Sequence, residues 1–295
     1  MKGNYKRCSS ETTSERLSKL KYLQSLNFTD KLNISIKVIN KSMELGKNAL
    51  LYSGGKDSSV LLSILDRYFD KNKFIVMYNN TTLGRNDFIS GIRESTLNFN
   101  YIETTAENPV KMWQQTGYFP ILGKRYFSKY KIKYPDFQSS PVQCCYQLKE
   151  KKSNPILKKH KIKSVIWGNR AGESNRRKLS FVDNGFLFKP VKYPWYQAYP
   201  LQHWLSKDIF RYLYENVPKY KFYKEFESGC ICCGTDLKRN PNNLMYLFNS
   251  NRVKWEYFME IGFAKNILIA KGLGNKLEDI NNIIKNKPEI LLQII

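Results

Sequence analysis

A glycine-rich segment between two apolar stretches carries residue types that bind phosphate. Its residues are Ser53, Gly54, Gly55, Lys56, Asp57, Ser58 and Ser59. Glycines leave backbone N–H groups open to an anion, and the start of a following helix adds unpaired donors and a positive dipole end. The serine hydroxyls and the lysine ammonium are further donors, while the carboxylate can cap the helix or hold Mg²⁺. The segment suits a pyrophosphate, although it lacks the spacing of a Walker A motif.

Cysteines form two close groups that suit a metal centre. Cys144 and Cys145 are adjacent, and Cys230, Cys232 and Cys233 lie together later in the chain. Two thiol pairs that are distant in sequence can converge as four thiolates on one centre. Adjacent cysteines diverge, which favours two iron atoms of a 4Fe-4S cubane over one tetrahedral zinc ion; structural zinc and unliganded thiols are the alternatives. Cys232 is a candidate ligand in place of Cys233, or a residue that carries sulfur.

Short apolar runs alternate with helical patterns, and this order predicts the elements that position both groups. Buried strands are predicted over 48–52, 74–78, 101–103 and 164–167, and helices over 60–68, 87–97 and 109–115. Such alternation predicts a three-layer α/β fold with a doubly wound, mostly parallel sheet. Ligands bind beyond the carboxyl ends of such strands. The glycine segment, the residues after Tyr78 and the segment 168–174 all follow strand ends.

The two ends of the chain differ from this central part. Helical patterning covers 11–46, and residues 181–204 are rich in proline and aromatics, which favours irregular structure or short antiparallel strands. Helices are also predicted over 206–215, with Ser206 as N-cap, over 242–263 and over 277–294. We therefore divide the chain into three parts: an N-terminal helical segment (1–46), a catalytic domain (47–235) and a C-terminal helical extension (236–295).

The chain is strongly basic, with 49 Lys+Arg against 25 Asp+Glu and a net charge of +24 in 295 residues. A surface of this kind attracts nucleic acid, nucleotides or anionic membranes, although nucleotide bias in the source genome would also raise lysine. No apolar run approaches the ~18 residues of a membrane span, and the polar N-terminus lacks the apolar core of a signal peptide. We expect a cytoplasmic protein with no membrane partner and reduced cysteines.

Several motifs resemble a known superfamily. SGGKDS at 53–58 resembles the PP-loop of the ATP pyrophosphatase superfamily, whose members split ATP between the α and β phosphates. The CC…CxxC pattern resembles the 4Fe-4S site of assimilatory adenylylsulfate reductases in the phosphoadenosine-phosphosulfate reductase family. Segment 168–174 with Arg177 resembles that family's GxRxxES…R motif, and Tyr199-Pro200-Leu201 with Trp204 its P-L-x-x-W stretch. The resemblance spans 47–235 and implies an adenine nucleotide alpha hydrolase-like, Rossmann-like fold.

The resemblance also implies roles for individual residues. Arg170 and Arg177 would contact phosphate or sulfonate, Glu173 would orient an arginine, and Asn79 lies where the superfamily contacts adenine and ribose. The implied residues for ATP with Mg²⁺ are Ser53, Gly54, Gly55, Lys56, Asp57, Ser58, Ser59, Asn79, Gly168, Arg170, Glu173 and Arg177. The implied catalytic residues are Lys56, Asp57, Arg170 and Cys232. The implied cluster ligands are Cys144, Cys145, Cys230 and Cys233.

Two departures from the sulfonucleotide reductases bear on the reaction. Those reductases use a cysteine near the C-terminus as nucleophile, and here no cysteine follows Cys233. Their loop is eroded, whereas SGGKDS is intact. Both departures favour an ATP-dependent, adenylating sulfurtransferase with a 4Fe-4S cluster, similar to the DNA phosphorothioation sulfurtransferases or the cluster-bearing tRNA thiolases. Its partners would be a DNA or tRNA acceptor and a sulfur donor such as a cysteine desulfurase.

Two other functions stay open at this stage. Reduction of phosphoadenylylsulfate or adenylylsulfate is one, and it would require Cys232 or Cys8 as the nucleophile. The other is an ATP-binding, nucleic-acid-binding subunit of a larger complex. Basic residues that flank the cysteine pair favour a nucleic-acid acceptor, because phosphate contacts dominate the affinity of such proteins. These residues are Lys124, Arg125, Lys129, Lys131, Lys133, Lys151, Lys152, Lys158, Lys159 and Lys161.

Overall fold

The computed structural model describes residues 12–116, 141–217, 229–231, 233, 242–250, 252–253, 255–256, 282 and 285–287. Parts of the helices predicted over 242–263 and 277–294 lie outside these ranges. So do Cys8, Cys232 and the basic residues between 117 and 140. Within the described residues, no helix has the length and apolar character needed to cross a membrane.

The described elements alternate between helix and strand over most of the chain. The helices are α1 (Thr13–Ser25), α2 (Phe28–Glu44), α3 (Lys56–Tyr68), α4 (Asn86–Ser95), α5 (Pro109–Thr116), α6 (Pro141–Cys145), α7 (Lys151–Lys159), α8 (Asn175–Asn184), α9 (Ser206–Asn216) and α10 (Asn242–Ser250). The strands are β1 (Asn48–Leu51), β2 (Phe74–Asn80), β3 (Tyr101–Thr105), β4 (Ser164–Ile166), β5 (Leu187–Phe188) and β6 (Tyr196–Ala198). A π-helical turn (Tyr146–Glu150) joins α6 to α7, and 3₁₀ turns cover Lys71–Lys73 and Ala171–Glu173.

The described strands form one sheet in the order β3-β2-β1-β4-β6-β5. β1 runs parallel to β2 and β4, β4 runs parallel to β6, and β5 is antiparallel to β6. The strand order therefore reverses between β1 and β4, which is where open α/β sheets bind their ligands. The predicted fold class, a doubly wound and mostly parallel α/β sheet, is confirmed.

Alternating side chains of the strands build a core on each face of the sheet. Leu50 and Tyr52 pack in one cluster with residues of α2, α3 and α9. Ala49 and Leu51 face the other way, into a second cluster that includes Leu157 of α7. Period-two alternation of this kind is what a strand covered on both faces by helices requires. The short apolar runs thus fold as the central strands of a three-layer structure.

Helix α2 is fixed to the core by polar contacts as well as by packing. The Lys31 ammonium lies 2.8 Å from the Asp208 carboxylate of α9, and both side chains are buried. Ser35 accepts a hydrogen bond from the Trp204 indole at 2.9 Å and donates to Pro200 O at 2.9 Å. A buried ion pair is retained only when its charges are well satisfied, since desolvation opposes it. Helix α2 is therefore an integral part of the α/β core.

Region 181–204 differs in part from the prediction. Strands β5 and β6 are short and antiparallel as expected, but helix α8 extends to Asn184 and was not predicted. Its first turn is basic and only three of its ten residues are large and apolar, so the sequence offers no clear helical periodicity. Ser174 caps this helix by accepting a hydrogen bond from Arg177 N at 3.2 Å.

The chain divides into two compact units that interleave along the sequence. The first comprises the described residues of Met1–Tyr78, Gly91–Glu103 and Pro155–Tyr223. The second comprises those of Asn79–Ser90, Thr104–Asn154 and Lys224–Ile295. The glycine segment and the arginine motif belong to the first unit, and the described cysteines belong to the second.

Candidate nucleotide site and cysteine cluster

The loop after β1 leads directly into the first turn of α3. Gly54 has φ +71°, a left-handed conformation that glycine adopts without steric cost. Gly55 is the N-cap of α3 and has no side chain to cover the helix end. The Ser58 hydroxyl instead donates to Gly55 O at 2.9 Å and lies 3.2 Å from Ser53 Oγ. These contacts hold the loop in shape, and the N-cap residue adds no side-chain cap at the positive end of α3, which is the end of a helix that attracts anions.

Two of the predicted serines point into the protein rather than along the loop. Ser58 and Ser59 are each 5% exposed. Ser59 Oγ lies 3.4 Å from the Tyr52 hydroxyl, which is also 3.0 Å from Ser95 Oγ in α4. These contacts fix the start of α3 against its neighbours. Ser58 Oγ also bonds the loop backbone at Gly55 O, and Ser53 Oγ accepts a hydrogen bond from Gly55 N at 3.3 Å.

The loop after β4 lies directly against the first turn of α3. A Cβ atom at Gly168 would come 3.0 Å from Ser58 N and 3.1 Å from the carbonyl carbon of Asp57. Real Cβ atoms rarely approach backbone so closely, so this contact requires glycine. At Gly172, in the same loop, a Cβ would meet nothing within 4 Å. Gly168 therefore allows the arginine motif to reach the glycine loop.

Arg170 carries the principal electrostatic contact of the site. Its side chain is buried, its Nε donates to Asp57 Oδ1, and its Nη1 donates to Ser206 Oγ at 3.3 Å. The other carboxylate oxygen of Asp57 lies 3.4 Å from the Lys56 ammonium. One carboxylate thus contacts two cations and leaves a net positive charge, and among the described residues none pairs with Nη2 of Arg170. That edge of the guanidinium suits a bidentate or single contact with phosphate oxygens.

Glu173 fixes the backbone of the arginine motif. Its Oε2 accepts a hydrogen bond from Arg170 N at 2.7 Å and forms an ion pair with the Arg177 guanidinium. Arg177 was predicted to contact the ligand, and in this structure it is half-exposed and held by Glu173. Leu20 of α1 packs on Ala171 and Phe181 beside this loop. Helix α1 therefore supports the arginine motif, a role that the sequence did not reveal.

Ser206 is a contact of Arg170 that the sequence analysis missed. We predicted it as the N-cap of α9, but Leu205 occupies the N-cap position and Ser206 is the first helical residue. The Asp208 carboxylate accepts the Leu205 N–H at 2.7 Å, so Asp208 caps the helix in place of a serine. The Ser206 hydroxyl is thereby available to Arg170. A serine at the start of a helix signals a cap, and only the fold shows which group it contacts.

Both described clusters of thiols lie in the second unit. The Trp113 indole donates to Cys144 Sγ at 3.4 Å, and Thr81 Oγ1 lies 3.2 Å from Cys230 Sγ. Ile231 N donates to Leu83 O at 2.8 Å, which attaches the CxxC loop to the turn after β2. The cysteine pair and the CxxC loop are therefore each held by short contacts to neighbouring elements.

The described thiols are close enough to influence one another. Burial raises the pKa of the Cys144 thiol to about 12, and the nearby thiols of Cys230, Cys145 and Cys233 raise it further. Among the described residues, no three His, Cys, Asp or Glu side chains converge as tightly as a single metal ion requires. The donor set consists of thiols, which are the ligands of iron–sulfur clusters and of structural zinc. The chemistry of these side chains suits a thiolate-bound centre, but in this structure the described thiols do not converge on one metal position.

Asn79 lies in the second unit, near the carboxyl end of β2. Its Oδ1 accepts a hydrogen bond from Thr104 Oγ1 at 2.7 Å. This bond fixes the orientation of the amide. Cys232, the remaining predicted site residue, lies outside the described residues.

The central part of the sequence matches a known domain family. Residues 47–236 match the phosphoadenosine phosphosulfate reductase domain. The chain therefore belongs to the phosphoadenosine phosphosulfate reductase domain family, within the PP-loop superfamily whose motifs it carries. A comparison with curated proteins found no match.

Solved structures with a similar fold share little sequence with this chain. Phosphoadenylyl-sulfate reductase from Candida auris, as a phosphate complex, is 12% identical with a TM-score of 0.44, covering 71% of this chain and 89% of its own. FMN adenylyltransferase from Candida glabrata is 16% identical with a TM-score of 0.33, covering 68% of this chain and 63% of its own. Its complex with FMN and the ATP analogue AMPCPP is 15% identical with a TM-score of 0.35, covering 68% and 64%.

Proposed function

We propose that this protein is an ATP-dependent sulfurtransferase that adenylates its acceptor and releases pyrophosphate. The observation that carries the proposal is the intact glycine loop at the start of α3, with Arg170 paired to its Asp57. A loop that binds a triphosphate must stabilise the departing pyrophosphate, and a ready-made sulfonucleotide would not require this. We assign the activity to residues 47–235, with 1–46 as a helical N-terminal segment and 236–295 as a helical extension.

The residues of the first unit suit the adenylation step. MgATP would bind with its β and γ phosphates at the backbone of Gly54 and Gly55 and at the positive end of α3. An acceptor oxygen attacks the α phosphorus, the bond to the β-phosphate oxygen breaks, and pyrophosphate leaves. Lys56 and Arg170 stabilise the charge that develops on the leaving group. The acceptor is then bound to AMP.

Asp57 has a positioning role in this scheme. Its carboxylate is occupied by Arg170 and lies near Lys56, so it holds both cations at the loop rather than standing alone as a metal ligand. Mg²⁺ often reaches a site bound mainly to substrate phosphates and water, with few protein ligands. We therefore propose that Mg²⁺ arrives as part of the substrate. Glu173 contributes by holding the Arg170 backbone.

The four described thiols would hold a 4Fe-4S cluster. The proposed ligands are Cys144, Cys145, Cys230 and Cys233. When bound, such a cluster would supply a redox-active or sulfur-binding centre. Trp113 and Thr81 would orient the ligand sulfurs through the contacts described above. Zinc bound by the same thiols is the alternative occupant.

The second step replaces AMP with sulfur. A donor such as a cysteine desulfurase delivers its sulfur as a persulfide on a thiol. The terminal sulfur of the persulfide attacks the adenylated atom and AMP leaves, and an external dithiol reductant then cleaves the S–S bond, which leaves the sulfur on the acceptor and restores the carrier thiol. We propose DNA or tRNA as the acceptor, because the net charge of +24 exceeds what a small nucleotide requires. Cys232 is our candidate for a thiol that carries the sulfur, and we place the reaction in the cytoplasm.

Exchange of labelled pyrophosphate into ATP tests the adenylation step. The assay uses anaerobically purified protein with MgATP and, in parallel, duplex DNA, tRNA or sulfate as the acceptor. We expect exchange that depends on nucleic acid and falls at least 100-fold in Lys56→Met, with Lys37→Met on the exposed face of α2 as control. Reduction of adenylylsulfate or its 3′-phosphorylated form to sulfite, without exchange, would identify a reductase. Release of ADP would indicate an ATP-dependent binding subunit.

A further inference from the structure

A row of lysines lies at the amino-terminal edge of the sheet. Asn48 of β1 is in register with Phe74 of β2 and with Ser164 of β4. The residues that precede them in each strand are Lys73, Lys47 and Lys163. Because neighbouring strands lie about 4.8 Å apart, three lysines follow one another across this edge at roughly that spacing. The glycine loop lies at the opposite, carboxyl-terminal edge.

Backbone contacts hold this row in place. Lys163 N donates to Lys47 O at 2.8 Å, and Tyr196 N donates to Lys163 O at 2.8 Å. A Cβ atom at Gly46 would lie 2.9 Å from Lys163 Cγ, so the aliphatic stem of Lys163 passes over a glycine. Lys73 and Lys163 are exposed, and Lys47 is partly buried. The backbone positions of these lysines therefore follow from the register of the sheet.

The same edge continues into the end of helix α7. Lys161 N donates to Lys158 O at 2.9 Å and Ile162 N donates to Leu157 O at 3.0 Å, which is the Schellman pattern of a helix C-terminus. Ile162 and Leu157 also share one apolar cluster, as the motif requires. Lys161 occupies the left-handed position with φ 54°, where glycine is the usual residue. The protein places an exposed lysine where backbone conformation disfavours it.

Few negative charges oppose this surface. Glu44 and Asp70 are the acidic residues in the segments 44–48, 70–74 and 158–164. None of the ion pairs among the described residues joins either acid to Lys47, Lys73, Lys161 or Lys163. The negative ends of α2 and α7 accommodate Lys41, Lys158 and Lys159, which lie within their last turns. This stabilisation by helix ends does not extend to the lysines that precede the strands, and it does not explain the left-handed backbone conformation of Lys161.

We propose that this edge, formed by Lys47, Lys73, Lys161 and Lys163, is a docking surface for the phosphate backbone of a nucleic acid. A row of lysines whose backbone positions are fixed by the sheet suits an extended polyanion, because each ammonium that contacts a phosphate releases a counterion. The inference rests on the proposed nucleic-acid partner but not on the adenylation chemistry. It places backbone contacts away from the nucleotide loop, so that the acceptor is held at a second position.

The test is binding of fluorescently labelled duplex DNA and of an RNA hairpin, measured by anisotropy over a series of salt concentrations. The variant Lys73→Gln/Lys161→Gln/Lys163→Gln removes three of the charges, and Lys19→Gln/Lys21→Gln/Lys37→Gln on α1 and α2 removes the same net charge elsewhere. For duplex DNA we expect the slope of log K against log salt to fall by about 2 to 3 in the first variant and by less than about 1 in the control. Equal losses in both variants, or no loss in either, would overturn the proposal.

A second variant separates docking from folding. Lys161→Gly removes a charge but relieves the left-handed backbone, so we expect a higher melting temperature together with weaker nucleic-acid binding. Weaker binding that accompanies a lower melting temperature would point to a purely structural role and overturn the proposal. Pyrophosphate exchange is measured on every variant. If exchange fails in the wild type, the proposed function fails; if exchange is retained while the edge variants bind normally, only the docking surface fails.

Discussion

Arg170 Nε donates to Asp57 Oδ1, and this pair joins the loop after β4 to the first turn of the helix after β1. The two residues are more than a hundred positions apart in the sequence and come from two motifs that would otherwise be independent. Their contact makes one site of the glycine loop and the arginine motif. It also assigns the carboxylate to holding the arginine, which is the basis of the predictions below.

The Asp57–Arg170 pair predicts that substitution of either partner lowers activity to a similar extent. Asp57→Asn keeps the shape but removes the charge that holds the guanidinium, and we expect pyrophosphate exchange to fall by about 10²- to 10³-fold. Arg170→Lys should fall as far, because an ammonium cannot contact Asp57, Ser206 and phosphate together. Exchange rates at saturating MgATP measure both. Near-wild-type activity in Arg170→Lys would show that only a point charge is needed.

Substitution of Ser206 should lower kcat/KM less than substitution of Arg170, and a conservative replacement should restore most of it. Ser206→Ala removes the hydroxyl that accepts from Arg170 Nη1 at 3.3 Å, and we expect a loss of about two- to tenfold in kcat/KM, which corresponds to the ~0.5–1.5 kcal/mol of an ordinary hydrogen bond because this contact is long. Ser206→Thr should restore most of the loss. Ser25→Ala, at an exposed serine that bonds Tyr22 O, is the control. An unchanged kcat/KM in Ser206→Ala would remove Ser206 from the site.

Gly168 and Gly172 lie in the same loop after β4, so alanine substitutions at the two positions can be compared directly. A Cβ at Gly168 would meet backbone at 3.0 Å, so Gly168→Ala should lower the free energy of unfolding by about 1–3 kcal/mol and weaken ATP binding. Gly172→Ala meets nothing within 4 Å and should change the free energy of unfolding by less than about 0.5 kcal/mol. Urea titration and nucleotide-binding assays measure the two effects. Similar behaviour of the two variants would contradict the close contact of the β4 loop with α3.

The buried His203 should make the free energy of unfolding depend on pH. Burial lowers its pKa to about 4, although Lys31 O contacts Nε2 at 3.1 Å. The unfolded chain binds this proton near pH 6.5, so the contribution of His203 is present above pH 6.5 and is lost as the pH falls toward 4. Between pH 7 and 5 we expect the free energy of unfolding to fall by about 2 kcal/mol more in wild type than in His203→Gln.

His160 supplies the control for this experiment, because it is the other histidine of the chain. His160→Gln should retain the wild-type dependence of unfolding free energy on pH between 7 and 5. If the free energy of unfolding of His203→Gln also depends on pH as it does in the wild type, burial does not keep His203 neutral. Urea titrations at the two pH values measure all three proteins.

The proposed cysteine ligands lead to a prediction of how much iron and sulfide the purified protein carries. Anaerobically purified protein should carry about four iron and four sulfide per chain, and Cys144→Ser should lose most of both. Cys8→Ser, at a cysteine outside both groups, should keep them. Metal analysis together with absorption near 400 nm measures the outcome. Stoichiometric zinc without sulfide would favour the zinc alternative.

The sequence predicted the central strands because their apolar runs are short, buried on both faces and bounded by glycine or polar turns. Leu50 and Ala49 illustrate this, since adjacent residues of β1 enter opposite cores. The loop at 53–59 could be predicted for the same reason, as local spacing determines a strand–loop–helix unit. Helix α8 could not be predicted from the sequence, because its stability depends on the Ser174 cap and on packing against α1 rather than on hydrophobic periodicity.

The contacts that assemble the site are also beyond prediction from one sequence. The sequence around Asp57 does not indicate that its partner is Arg170. The sequence around Ser206 predicts a helix cap and not a contact with Arg170. The pairing depends on Gly168 allowing two loops to touch, which is a property of the folded chain. Sequence spacing predicts which residues can do chemistry, and long-range contacts decide which of them act together.

Transfer of labelled sulfur tests the central claim most directly. The protein is incubated anaerobically with MgATP, a cysteine desulfurase, ³⁵S-cysteine, a reductant and either duplex DNA or tRNA. We predict ³⁵S in the nucleic acid in equal amount to the AMP and pyrophosphate released, and loss of all three products in Lys56→Met. Absence of ³⁵S from both nucleic acids, together with no AMP or pyrophosphate from ATP, would contradict the account, and sulfite formed in a parallel incubation with adenylylsulfate would identify a reductase.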